Sequence, residues 1–260
     1  MTKGDTTLNI KGRVPFSRYC STVTTMNEKK NNISSPSAWE IVNKLREDPA
    51  YMAKNAEREK RRDARAQEFA RQSEPIASDL AAVGFIYSSI DDLRRSGVPY
   101  EKAVPVLVKW LPLVANQALK ESIVRALSVP WARPVAALPL IAEFKGTKGL
   151  SSDSLKWAIG NALSIIADDS VFHEIAELVT DKQHGKAREM LAVALGNMKN
   201  PQAVDLAIQL LNDETLVAHA LMALAKLKSA RARPYIEALA DHPKTLVRKE
   251  AKRALVKLEK

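Results

Sequence analysis

His173, Glu174 and Glu177 stand in the run HEIAE, the nearest this chain comes to a zinc-binding helix. A hydrolytic zinc site of that kind needs a second imidazole where Glu177 stands, because His173 and Glu177 on one face leave the metal short of ligands. The run therefore reads as the exposed polar face of a helix. His184, His219 and His242 fall at no metal-ligand spacing. Gly185-Lys186 is followed by Ala187 and lacks the upstream glycine of a phosphate-cradling loop. Neither a G-x-S-x-G elbow nor a G-x-G-x-x-G turn occurs. The lone cysteine, Cys20, excludes an intramolecular disulfide and sits in a polar segment that offers it no pre-organised base. A glycosylase or lyase would need a carboxylate of raised pKa in an aromatic-lined cleft. Trp157 and Asp153 are the parts on offer, with no constellation around them. We expect no catalytic residue, no metal and no cofactor.

What remains is binding chemistry, and its geometry depends on the elements that carry it. Five Ala-Leu doublets recur: Ala126-Leu127, Ala162-Leu163, Ala194-Leu195, Ala223-Leu224 and Ala254-Leu255, spaced by 36, 32, 29 and 31 residues. That period fits two short helices and their connections. The flanking columns agree. Seven residues before each alanine stand Leu119, Leu155, Ala187, Leu216 and Val247; three before it, Ile123, Ile159, Leu191, Ala220 and Ala251; four after it, Pro130, Ile166, Met198, Leu227 and Leu258. These positions make one apolar stripe on a helix, and the small anchor residue lets neighbouring helices approach. A first helix precedes each: 104–114, 136–144, 172–179, 203–211 and 234–240, with Pro99, Pro134, Pro201 and Pro234 at or near their starts. One such pair cannot bury its own apolar face, but a stack of five makes a continuous core.

Residues 1–37 are polar and aperiodic, and we expect a disordered extension there; its composition has something of a transit peptide, and Met26 is a possible alternative start. Residues 38–97 are expected to form an N-terminal helical region packing on the stack. Within it, 38–48 is amphipathic and stopped by Pro49, and 53–72 is helix-prone with a Glu57–Arg61 pair. The segment SSIDDLRRSG has a serine cap, Asp91 and Asp92 at the positive end, Arg94 and Arg95 at the negative end, and Gly97 beyond. The low glycine count (9) and the scarcity of aromatics argue against a sheet. No apolar run approaches a membrane span, and the lone cysteine suits a reducing, cytoplasmic compartment.

LGNMKNPQAVDLAIQLLND (195–213) and HPKTLVRKEAKRALVKL (242–258) resemble HEAT repeats of the phycobilisome-lyase-like type, and LKWAIGNAL (155–163) and KAREMLAVALGNM (186–198) look like small bacterial HEAT-repeat proteins. The resemblance covers about residues 98–260. It implies an all-α, armadillo-like fold, a right-handed alpha-alpha superhelix of about five helix pairs, acting as an interaction scaffold. The lyase activity of some members is not implied, because the repeat reports stacking and not chemistry.

Six residues before the anchors stand Lys120, Lys156, Arg188, Val217 and Arg248. In register, the basic ones would line an electropositive surface. The resemblance offers an alternative: an aspartate between paired helices (Asp153, Asp181, Asp213 and Asp241) joined to an arginine early in the second helix, which would consume the charge in a ladder. Lys120 and Lys156 suit bidentate pairing less well and are expected as surface contacts. Trp157 and Asn161 lie off the stripe, where Trp157 is either an exposed anchor or a gap-filler. Lys120, Lys156, Trp157, Asn161 and Arg188 are the expected partner-facing residues, and the expected partner is another protein. The net charge of +10 keeps nucleic acid as the second reading, through a basic concave face. The RekRR strip (Arg58, Arg61 and Arg62) reads either as a phosphate contact or as a solvated face.

Overall fold

A computed structural model describes residues 37–148 and 152–259. The expectations for residues 1–36, including Cys20 and Met26, lie outside the described residues. The chain divides into two compact units, Met1–Asn55 and Ala56–Lys260. Every regular element among the described residues is helical.

In the first unit, α1 (Ala38–Glu47) starts in a reciprocal cap. The Glu40 N–H donates to Ser37 Oγ (3.3 Å), and the Ser37 N–H donates to Glu40 Oε2 (2.7 Å). No residue of α1 is buried, and Trp39, Ile41 and Val42 are exposed. Pro49 ends α1 as expected and also opens α2 (Pro49–Ala82), where its missing N–H is not needed. The division between the units falls within α2. In the second unit this helix continues through Pro75, past the expected limit at 72. An interior proline costs about 3 kcal/mol, and the burial of Ile76 and Leu80 beyond it is of the size to offset that.

Ser89 caps α3 (Ile90–Arg95) by accepting from the Asp92 N–H (3.1 Å), and Gly97 takes positive φ just past its end, as the composition of 88–97 predicts. Five helix pairs follow: α4 (Val104–Trp110) and α5 (Gln117–Ala126), α6 (Ala137–Gly146) and α7 (Ser152–Ile166), α8 (Phe172–Thr180) and α9 (Glu189–Ala194), α10 (Pro201–Leu210) and α11 (Val217–Leu227), α12 (Arg233–Glu237) and α13 (Thr245–Leu258). From α6 onward the members of each pair touch. The second helices also touch in series, α5 on α7, α7 on α9, α9 on α11 and α11 on α13. All five anchor alanines and the leucines of the first four doublets are fully buried, and Leu255 packs on the same core. Ile76, Leu80, Ile90 and Leu93 belong to that core too.

Two departures have local causes. Pro130, expected on the apolar stripe, is exposed and opens a 3-10 turn instead, because a proline cannot continue α5. The third second helix is shorter than the expected 186–198. Its entry is a 3-10 segment interrupted at Gly185 (φ 51), a left-handed conformation that glycine adopts without Cβ strain.

The candidate binding surface

The expected basic column is real in register, but its side chains are buried or half-buried. Lys120 on α5 reaches Glu143 on α6 (Nζ–Oε1, 2.7 Å), with its side chain only 15% exposed. Lys156 on α7 lies half-buried over the Phe144 ring (5.3 Å to the centroid) and donates to His184 Nδ1 (3.4 Å). Arg188, before α9, is 4% exposed; it donates to Val179 O (3.2 Å) and Gly185 O (3.1 Å) and pairs with Asp213 Oδ2 (2.9 Å) in the next hairpin. Each side chain therefore stitches one hairpin to the following one. Arg188 and Lys120 are corrected from partner-facing to interior contacts, because neighbouring carboxylates desolvate and pair with them. Lys156 keeps only part of its surface.

The Asp–Arg ladder has one rung in this column. Arg248 bonds instead to the His242 carbonyl (2.8 Å), and the register position before α11 holds Val217. Burial pushes the Asp213 carboxyl up, but bonds from Arg188 and from the Thr215 N–H (2.9 Å) outweigh it and hold the pKa below the usual value.

Trp157 leaves half its surface in water (50% exposed). Asn161, one turn on, is half-buried and donates back to Trp157 O (3.1 Å). Beside the indole lies a groove of about 590 Å³, bounded by Asp153, Ser154 and Trp157 of α7 and by the turn Gln183–Ala187. Its floor includes His184, whose ring meets Phe144 edge-on at 5.0 Å. Lysine has donors only, so its bond to Nδ1 requires the neutral ring with the proton on Nε2, which faces Asp181 at 3.6 Å. Burial, then the adjacent Lys156, lowers the His184 pKa. Sequence reasoning found Trp157 by its position off the stripe but missed Phe144 and His184. No motif marks them, and they meet Lys156 only because consecutive hairpins stack.

The other polar and aromatic side chains singled out contact their neighbours. His173 lies edge-on to Phe172 (5.4 Å), and Glu177 pairs with Lys145 (2.8 Å). Trp110 donates to Asp79 (2.8 Å), and Trp131 meets Tyr100 edge-on (5.4 Å). On α2, Arg61 pairs with Glu57 (2.8 Å) as expected, and Arg58 and Arg62 are exposed. No described helix is long and apolar enough to cross a membrane.

No curated protein matches the chain. The family model for HEAT repeats matches residues 173–256, from the first turn of α8 into the last turns of α13. Those residues, with their serially packed second helices, are similar to HEAT repeats.

Proposed function

We propose that this chain is a non-catalytic protein–protein interaction module that works in the cytoplasm. Its helix pairs are read as a right-handed superhelix of the phycobilisome-lyase-like repeat type, without the lyase chemistry. Stacked repeats suit this role because each hairpin is held by its neighbours, leaving a long surface pre-organised for contact. The observation that carries the reading is Trp157, half in water beside a groove of about 590 Å³. An exposed indole against a concave wall is the kind of anchor that dominates interface energetics. Asn161 and the outer part of Lys156 complete the contact face, and no catalytic group is assigned.

The test is capture from the native cell with the full chain carrying a photo-crosslinker at Ser154, compared with the same chain bearing Trp157→Ala. Crosslinked proteins that vanish with Trp157→Ala support the reading. An unchanged set, or no crosslinked protein at all, overturns it. Nucleic-acid binding is the second reading, favoured by the exposed arginines of α2. It requires duplex binding that collapses between about 50 mM and about 200 mM salt.

A further inference from the structure

A second row of side chains runs along the ends of the second helices, three residues after each anchor alanine: Val129, Ile165, Asn197, Lys226 and Lys257. Unlike the column of Lys120, Lys156 and Arg188, its charges are not consumed. Asn197 donates from Nδ2 to Ser164 O at the end of α7 (2.7 Å) and accepts from Lys226 Nζ through Oδ1 (3.3 Å). Arg133, from the turn after α5, donates to the adjacent carbonyl, Ile165 O. Arg133 is thus bonded directly to the end of α7, and Lys226 is linked to the same end through Asn197, from hairpins far apart in sequence. Lys257 follows Lys226 one helix further along, on α13 packed against α11. Among the described residues none of these three cations has a carboxylate within ion-pair distance. The Lys226 stem lies over Gly196, where a Cβ would sit 2.9 Å from Lys226 Cδ. Burial lowers the Lys226 pKa, and the charges that lower it further are Lys257 and Arg133, both cations.

We propose that Arg133, Asn197, Lys226 and Lys257 form an anion-binding subsite for an acidic, extended segment of a protein partner. This rests on the reading of the chain as a protein-binding module. Three cations gathered without counter-charge raise each other's energy, and a bound carboxylate relieves that repulsion. The spacing favours a peptide. Packed helices lie about 8–10 Å apart, and an extended chain in the polyproline II conformation advances about 3.1 Å per residue with about three residues per turn. Carboxylates three positions apart therefore share one face and meet successive repeats. Exposed Ile165, next in the row, offers an apolar neighbour to such a segment. A duplex binder needs more: about six to ten phosphate contacts are usual, against three cations here.

The experiment uses the full chain and fluorescence anisotropy with labelled peptides bearing Glu, Gln or Lys at every third position, and with single-stranded and duplex oligonucleotides of similar length. The expected result is binding of the Glu peptide, none of the Gln peptide, and about tenfold weakening by Lys226→Gln with Lys257→Gln. Arg58→Gln with Arg62→Gln removes the same charge from α2 and should leave binding unchanged. Lys226→Glu with Lys257→Glu should switch preference to the Lys peptide, and circular dichroism confirms that each variant is folded. The proposal is overturned if the Glu peptide does not bind, if both paired Gln variants weaken it equally, or if an oligonucleotide binds more tightly through the same two lysines. Crosslinking that still depends on Trp157 in those cases leaves the interaction-module reading intact, so the two failures are distinguishable.

Discussion

Arg188 and Asp213 join one hairpin to the next through a 2.9 Å contact between Nη1 and Oδ2, with the arginine side chain almost wholly out of water. The guanidinium spends its other bonds on Gly185 O and Val179 O, so a single side chain ties a turn, a first helix and the following repeat. Removing one partner leaves the other charge desolvated. Arg188→Met is expected to cost about 3 kcal/mol, the low end for a broken buried pair, since Asp213 keeps part of its surface wet. Adding Asp213→Leu should recover part of that loss. Urea denaturation of both variants checks this, and a loss below about 0.5 kcal/mol for Arg188→Met would refute the interior role. The Asp213 pKa is lowered in the folded state, so its stabilisation is present above the ordinary carboxylate value and is lost as pH falls through the folded pKa.

Two glycines set how closely second helices pack. A Cβ at Gly196 would meet the Ala223 backbone at 3.1 Å as well as the Lys226 stem, whereas one at Gly160 would meet Met190 Cβ at 3.1 Å. Gly196 thus faces three atoms at 3.1 Å or closer, Lys226 Cδ, Lys226 Cβ and Ala223 Cα, against one at Gly160. Gly196→Ala should therefore destabilise by about 1–3 kcal/mol. Gly160→Ala should cost less, because alanine's better helix propensity returns up to about 1 kcal/mol. Gly146→Ala, with nothing near its Cβ, should be neutral or gain up to about 1 kcal/mol. Thermal melts of the three variants test the order.

Acid should weaken the fold through its half-buried histidines. Burial lowers the His219 pKa against the opposing pull of Glu189 and Glu250, and burial with Lys156 lowers that of His184. A histidine whose folded pKa is depressed favours the neutral form. Its stabilisation is therefore present above the ordinary value of 6.5 and is lost as pH falls from there to the folded pKa. The wild-type Tm should drop between neutral pH and about pH 5. The drop should be smaller in a chain carrying His184→Gln and His219→Gln. An equal drop in both would assign the acid sensitivity to other groups.

Folding and binding should separate at Trp157. With half the indole in water, Trp157→Ala is expected to change stability by no more than about 1 kcal/mol. Leu163→Ala, at a fully buried anchor leucine, should cost about 2–5 kcal/mol. Melting curves of both variants, beside the crosslinking of the first, show whether the surface tryptophan serves contact or core.

Composition and period settle the local elements. The doublets at Ala126 to Ala254 are a short-range signal, since a helix places residues three and four apart on one face whatever surrounds it. Caps at Ser89 and the proline starts of α10 and α12 are equally local. The ends of the stripe were less legible: Pro130 left it, and Gly185 shortened the third second helix, because backbone freedom at one residue overrides the pattern around it. The fate of the charges was decided only by stacking. Lys120, Lys156 and Arg188 share one register position, yet Glu143, His184 and Asp213 lie 23, 28 and 25 residues away and arrive from the next hairpin. The bonds of Arg133 to Ile165 O and of Lys226 to Asn197 Oδ1 are of the same origin. Side-chain periodicity within a helix is written in nearest neighbours, whereas the partner of a charge is chosen by what the packed neighbour brings within about 4 Å, and that is a property of the stack.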